Sequence, residues 1–263
     1  MLSNLGSLLR YRGLIQSLVA RELKARYRGS VLGFVWSFVN PLLLLSIYSF
    51  VFTTIMRNDD ARTKPFAVFM FCGLLPWTWF SASLTEATSS LISGGNLIKK
   101  VLFPAEVLPI VSVLANMVHF LLGLVILAAF MVGFRHYPNV AALPWFVVAV
   151  AIQLVFTLGL ALGLSALTVH FRDIRDLLTN ILTLWFFATP IIYPYFMPSV
   201  KRFLPIFRLN PFYHLAVSYQ EILFFDQFGH ARSLLMLGAL SVVVFLAGYW
   251  LFDRLRDSFA EAV

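Results

Sequence analysis

The chain has 263 residues, of which 60% are hydrophobic and 12% charged, and its formal net charge is +8. Soluble domains carry roughly a quarter charged residues, so this composition excludes a water-facing surface over most of the chain and marks an integral membrane protein. The single cysteine, Cys72, excludes an internal disulfide framework and a cysteine-based zinc cluster. The positive balance belongs beside membrane spans, where cations set orientation and meet anionic headgroups, rather than on nucleic acid.

Residues 1–30 come first as an amphipathic segment. On a helical wheel Leu8, Tyr11, Leu14, Ile15, Leu18 and Val19 fall on one side. Arg10, Arg12, Gln16, Ser17, Arg21, Lys24 and Arg28 fall largely on the other, and Glu22 sits off-pattern on the apolar side. That is the pattern of a helix in the membrane interface, either a passive anchor or a lever touching a cytoplasmic partner. The segment lacks the compact apolar core and small-residue site of a cleaved signal peptide.

After Arg28 no charged residue occurs until Arg57. A helix needs about 20 residues to cross the hydrocarbon core, and six stretches qualify: 31–56, 65–85, 107–134, 144–169, 177–198 and 234–252. None shows the alternation of a membrane β-barrel strand, so the fold expected is all-α with six transmembrane helices in one domain, 31–263. Asn40-Pro41 interrupts the first span, because proline removes a backbone donor and crowds the preceding turn. Pro190, Pro194 and Pro198 share a helix face and kink or end the fifth. The segment 199–233 is too aromatic for an ordinary loop. Within it Asn210-Pro211 reads as a helix cap and first turn, and short re-entrant helices dipping into the outer leaflet are expected. Six cations precede the first span, which puts the N-terminus and, after six crossings, the C-terminus in the cytoplasm.

Chemistry is sparse. There is no GxxxxGK[ST] loop for ATP and no HExxH, and Gly163-Leu164-Ser165-Ala166-Leu167 fails GxSxG at its last position. His119 lies inside the third span, either as an interhelical hydrogen-bonding residue or as a proton carrier; the interiors otherwise lack the acids and bases of a proton-coupled carrier. The 27 Phe, 9 Tyr and 6 Trp serve partly as interfacial belts. Aromatic faces also hold the apolar faces of sugar rings loosely, so they suit a sliding polymer. The charged inner loops, with Lys99-Lys100 and Phe103 in one and Phe171-Arg172-Asp173-Ile174-Arg175-Asp176 in the other, are solvated turns or docking points for a soluble motor.

At these residues a resemblance enters. "RYRGSVLGFVWSFVNPLLLLSIYSFVF" near the start, "FRDIRD", "ATPIIYP" in the fifth span and "NPF" before the sixth resemble the permease subunits of ABC-2 polysaccharide exporters of the O-antigen and teichoic-acid type. The resemblance implies a six-helix type V exporter half, paired with a second copy of itself and with two ATPase subunits that bind ATP and Mg. It implies a glycan substrate on an undecaprenyl-type lipid, moved across the inner membrane. Carried onto this chain, the ATPase contacts fall at Leu8–Arg28, which includes Arg21 and Glu22, and at Leu91–Phe103, which includes Lys99, Lys100 and Phe103. Arg172, Asp173, Arg175 and Asp176 join them from the second inner loop. The path falls on spans one and five, at Trp36, Phe38, Tyr48, Trp185, Phe186, Tyr193 and Tyr195. Arg10, Arg12 and Arg28 would meet the lipid diphosphate, for which the guanidinium fork is suited. No cofactor and no metal is expected in this chain. The competing readings are an ABC-2 exporter of a small lipid or drug, and a membrane-bound glycosyl- or acyltransferase built on Glu86, Glu106, Asp173 and Asp176.

Overall fold

The computed structural model describes residues 11–55, 61–100, 103–225 and 227–259, and these form helices and turns with no strand among them. Helix α1 (Arg12–Tyr27) leads through a turn at Gly29, whose φ of 81° suits glycine, into a 3₁₀ turn and α2 (Trp36–Phe50). Then follow α3 (Phe66–Ser93), the short α4 (Gly95–Lys100), α5 (Val107–Gly133), α6 (Leu143–His170) and α7 (Ile174–Phe187). The outer segment holds α8 (Pro198–Arg202), α9 (Leu204–Phe207) and α10 (Pro211–Leu223), and α11 (Ala231–Leu255) ends the described chain with a 3₁₀ turn.

Five stretches among the described residues are long and apolar enough to span a membrane: Gly33–Phe50, Phe66–Ser93, Val107–Gly133, Val140–His170 and Ala231–Ser258. They coincide with the first, second, third, fourth and sixth expected spans. The fifth differs. Its helix stops at Phe187 after 14 residues, about 21 Å at 1.5 Å per residue and short of a bilayer core. Pro190 and Pro194 supply no backbone N–H to a continued helix, and residues 188–197 run as irregular chain instead.

Two other expectations change. Helix α2 passes through Pro41 without a break; the missing N–H costs the helix a single hydrogen bond, that to Ser37 O, and the fixed φ of proline is compatible with a helix. Helix α3 continues eight residues beyond Thr85 to Ser93. Its Ser and Thr hydroxyls donate back to carbonyls three or four residues earlier, as Thr88 does to Thr85 O at 2.7 Å and Ser93 to Ser89 O at 3.0 Å, so the polar run satisfies itself within the helix. The expected loop around Gly94 shrinks to a single turn before α4.

Helix α3 is the hub. In its most apolar window 83% of residues are buried, against 11% in that of α2. Phe69, Trp79 and Phe80 of α3 are among the largest fully buried side chains, and Trp79 stacks on Phe120 of α5 at 5.0 Å. Helices α6 and α11 make the most extensive pairing, because glycines let their backbones meet. A Cβ on Gly248 would lie 2.0 Å from Gly159 O, and one on Gly159 would lie 2.6 Å from the Phe245 backbone. Gly248→Ala is therefore expected to force the pair apart at a cost of about 2 kcal/mol, in the range of other overpacking changes. A lowered unfolding midpoint in detergent would show it, and an unchanged midpoint would contradict the close approach.

Candidate transport groove and its polar anchor

A groove of about 630 Å³ lies between α2, α3 and α7. Thr78, Ser81 and Thr85 of α3 are spaced i, i+3, i+7, which places them on one helix face. Thr179, Thr183 and Phe186 are spaced i, i+4, i+7 and likewise share one face of α7. These two faces meet, with Trp77, Glu86, Leu182 and Phe187 beside them and Leu44 and Tyr48 contributed by α2. The rings cluster: Trp77 and Phe186 centroids are 5.7 Å apart, and Tyr48 and Phe186 6.5 Å. An aromatic and hydroxyl lining of this kind holds ring-shaped polar molecules without a fixed register.

Behind α2 is a second cavity of about 520 Å³, polar at the end near Arg26, Ser30, Asn40, Asn116 and His119 and apolar near Leu44, Phe71 and Leu74. Its polar end is a network joining four helices. Arg26 Nη2 donates to Glu86 Oε2, and Arg26 Nη1 donates to Asn116 Oδ1 at 3.1 Å. Asn116 Nδ2 donates to Glu86 Oε2 at 2.6 Å, and Glu22 lies 3.8 Å from Arg26. One turn away Ser37 Oγ donates to the Tyr27 hydroxyl at 2.5 Å, and Tyr27 faces His119 Nδ1 at 3.5 Å. His119 thus takes the interhelical role, although its Nε2 is buried without a partner.

The network also sets the pose of α1. Leu18 is buried against Val107 and Val111, while Arg26 and Tyr27 reach Asn116 and His119. Helix α1 therefore runs alongside the N-terminal half of α5. Its expected apolar side packs as read, with Tyr11, Leu14, Ile15 and Val19 against Leu18, Val107 and Val111, and Leu8 lies outside the described residues.

The chain that follows α7 is braced by three side chains of the α10 region. Asn210 caps α10 through Phe212 N at 2.9 Å, as its position before Pro211 predicts. It also accepts from Trp185 Nε1 at 2.5 Å and donates to Ala188 O at 3.0 Å and Thr189 Oγ1 at 2.9 Å. Buried Glu221 accepts from Gly229 N at 2.9 Å, His230 N at 3.2 Å and the Tyr195 hydroxyl at 3.1 Å, and pairs with His230 Nδ1 at 2.7 Å. Gln220 Nε2 donates to Pro190 O at 2.8 Å. Side chains from α10 thus serve the irregular stretch that follows α7.

The expected path residues divide. Tyr48 and Phe186 line the groove, and Trp36 lines the cavity behind α2. Phe38 packs on the core and meets Phe34 edge-on. Trp185 and Tyr195 are hydrogen-bonded to Asn210 and Glu221 of the α10 region, and Tyr193 donates back to Phe187 O at the end of α7 at 2.6 Å. Of the expected headgroup residues, Arg12 and Arg28 are exposed at the two ends of α1, and Arg10 lies outside the described residues. Arg21, Glu22, Lys99, Arg172, Asp173, Arg175 and Asp176 are exposed, and Phe103 packs against the Leu18 cluster. Lys100 ends α4, and its side chain lies outside the described residues. Sequence reading passed over Arg26, Asn116 and the groove hydroxyls. Two signals were present: Glu86 is the lone charge between Lys64 and Lys99, and isolated acids inside a span have a purpose. Among the described residues no three His, Cys, Asp or Glu side chains gather as a metal site.

Five apolar helices long enough to span a membrane among the described residues, a short aromatic helix beside them and an N-terminal helix keyed to α3 and α5 make the frame of a transport subunit. The chain belongs to the ABC-2 type transporter family, whose model matches residues 13–224, and it is a multi-pass membrane protein. It is 43% identical over 260 residues to the O-antigen export system permease protein RfbA of Myxococcus xanthus, covering 97% of each chain. Two permease proteins of the same name from Klebsiella pneumoniae are 33% and 32% identical over 259 residues, covering 98% of this chain and 96% of theirs.

Proposed function

We propose that this chain is the permease of an ATP-driven exporter that carries a lipid-linked polysaccharide of the O-antigen type across the bacterial inner membrane. The observation that carries the reading is its agreement, over nearly the whole of both chains, with a relative named for that task. The aromatic and hydroxyl groove fits the cargo.

Two copies would pair through the open faces of α2 and α7, where Leu43, Ile47, Phe50, Leu177, Ile181 and Leu184 are exposed, so that their grooves form one passage. Tyr48 and Phe186 would touch the polymer first, with Trp36, Phe38, Trp185, Tyr193 and Tyr195 framing the passage. Arg10, Arg12 and Arg28 would meet the diphosphate of an undecaprenyl-type anchor at the inner surface. Both termini would be cytoplasmic, and α8 to α10 would form the re-entrant outer gate. Two separate ATPase subunits, holding ATP and Mg, would press on α1 through Arg21 and Glu22. They would also press on the α4 region through Lys99, Lys100 and Phe103, and on the α6–α7 turn through Arg172, Asp173, Arg175 and Asp176. Nucleotide acts on the passage only through contacts that differ between its states, and the Arg26 network supplies a rigid link for them.

Removing the partner ATPase in cells is expected to leave lipid-linked polymer inside and none at the surface. Polymer reaching the surface without the ATPase overturns the reading. Normal surface polymer in cells lacking this chain, with efflux of a small amphiphile lost instead, would move it to the small-lipid or drug class.

A further inference from the structure

Five serine and threonine hydroxyls face the groove, and each reaches a carbonyl of its own helix, four of them at 3.1 Å or less. Thr78, Ser81 and Thr85 donate to Leu75 O at 2.8 Å, Thr78 O at 3.4 Å and Ser81 O at 2.9 Å. Thr179 and Thr183 donate to Arg175 O at 3.1 Å and Thr179 O at 3.0 Å. A hydroxyl engaged in this way with its own helix offers a ligand only lone pairs. The one ionisable carboxylate in the lining, Glu86, is also an acceptor, and its partner Arg26 lines the neighbouring cavity instead. Tyr48 and Trp77 supply neutral donors, and the rest of the lining is apolar.

Such a wall suits a ligand rich in O–H donors and C–H faces. It mismatches phosphates and carboxylates, which bring only acceptors and a charge that must leave water with no cation among the described lining residues to receive it. We propose that the groove selects uncharged polysaccharide and rejects polymers with a phosphate or carboxylate in each repeat. This inference rests on the export reading above and narrows its substrate class. The anchor diphosphate crosses once per polymer, whereas a charged repeat meets the lining at every step.

The test compares two substrates that differ only in charge. Inverted membrane vesicles carrying this chain and its ATPase receive lipid-linked mannan, or the same mannan after its primary hydroxyls are oxidised to carboxylates. Length, linkage, terminus and lipid are then identical. ATP-driven entry of the neutral mannan is expected to exceed that of the oxidised form by about tenfold or more, as charge burial dictates. The double variant Thr85→Lys, Thr183→Lys is expected to narrow that ratio several-fold by raising entry of the oxidised form relative to the neutral one. Equal entry of the two mannans in the unaltered protein overturns the inference and leaves the export reading standing. An unchanged ratio in the lysine variant overturns the assignment of selectivity to this groove. Entry of neither mannan while ATP is hydrolysed overturns the export reading and this inference with it.

Discussion

Glu86→Ala is expected to reduce export about tenfold, because breaking a half-buried ion pair costs less than breaking a fully buried one, on the order of 1–2 kcal/mol, and here also releases a helix. Glu86 accepts from both Arg26 and Asn116. Alanine leaves the guanidinium with only the Asn116 carbonyl and the more distant Glu22 as partners. A half-buried guanidinium that has lost its nearest anion regains water when α1 lifts away from α3 and α5. The path from an ATPase pressing on α1 to the groove is then cut, since Glu86 belongs to both. Arg26→Glu combined with Glu86→Arg restores the pair in reverse and is expected to recover a large part of export. Surface polymer, together with the amount of folded protein in the membrane, checks both variants. Full export by Glu86→Ala, or no recovery in the exchange variant, would show that the pair is not the anchor.

Asn210→Leu is expected to lower export by about thirtyfold and to destabilise the fold by about 3 kcal/mol, at roughly 1 kcal/mol for each of several lost hydrogen bonds. The substitution preserves side-chain size but strands the Trp185 indole N–H and the Phe212 amide, and it takes a donor from Ala188 O. Trp185 and Ala188 flank Phe186 and Phe187, two residues of the groove wall, so the wall moves when its brace is gone. Asn210→Asp keeps both acceptor contacts and loses both donations, and is expected to fall between. The order of unfolding midpoints, unaltered above Asp above Leu, is the measurement. Equal midpoints for Leu and the unaltered protein would show that Asn210 only caps α10.

How much of this was legible in the chain follows from the range of each interaction. Membrane character and five of the spanning helices were determined by sequence alone, because transfer of an apolar segment into hydrocarbon depends on that segment. The Asn210 cap was equally local, since its partner lies two residues on. The apolar side of α1 was readable from helical spacing, although its direction along α5 was not. Tertiary structure decided the rest. Arg26 looks like any cation of a basic helix until Glu86 and Asn116, 60 and 90 residues further along, close on it. Trp185 looks like a path-lining ring until Asn210, 25 residues away, claims its N–H. The fifth helix ends at Phe187 for a local reason, since Pro190 and Pro194 bring no N–H, but the hold on the chain beyond it is tertiary: Asn210 and Gln220 of a later segment donate to Ala188 O and Pro190 O. Which hydroxyls face the groove was likewise set by how α2, α3 and α7 meet, a matter of packing between segments that no single segment encodes.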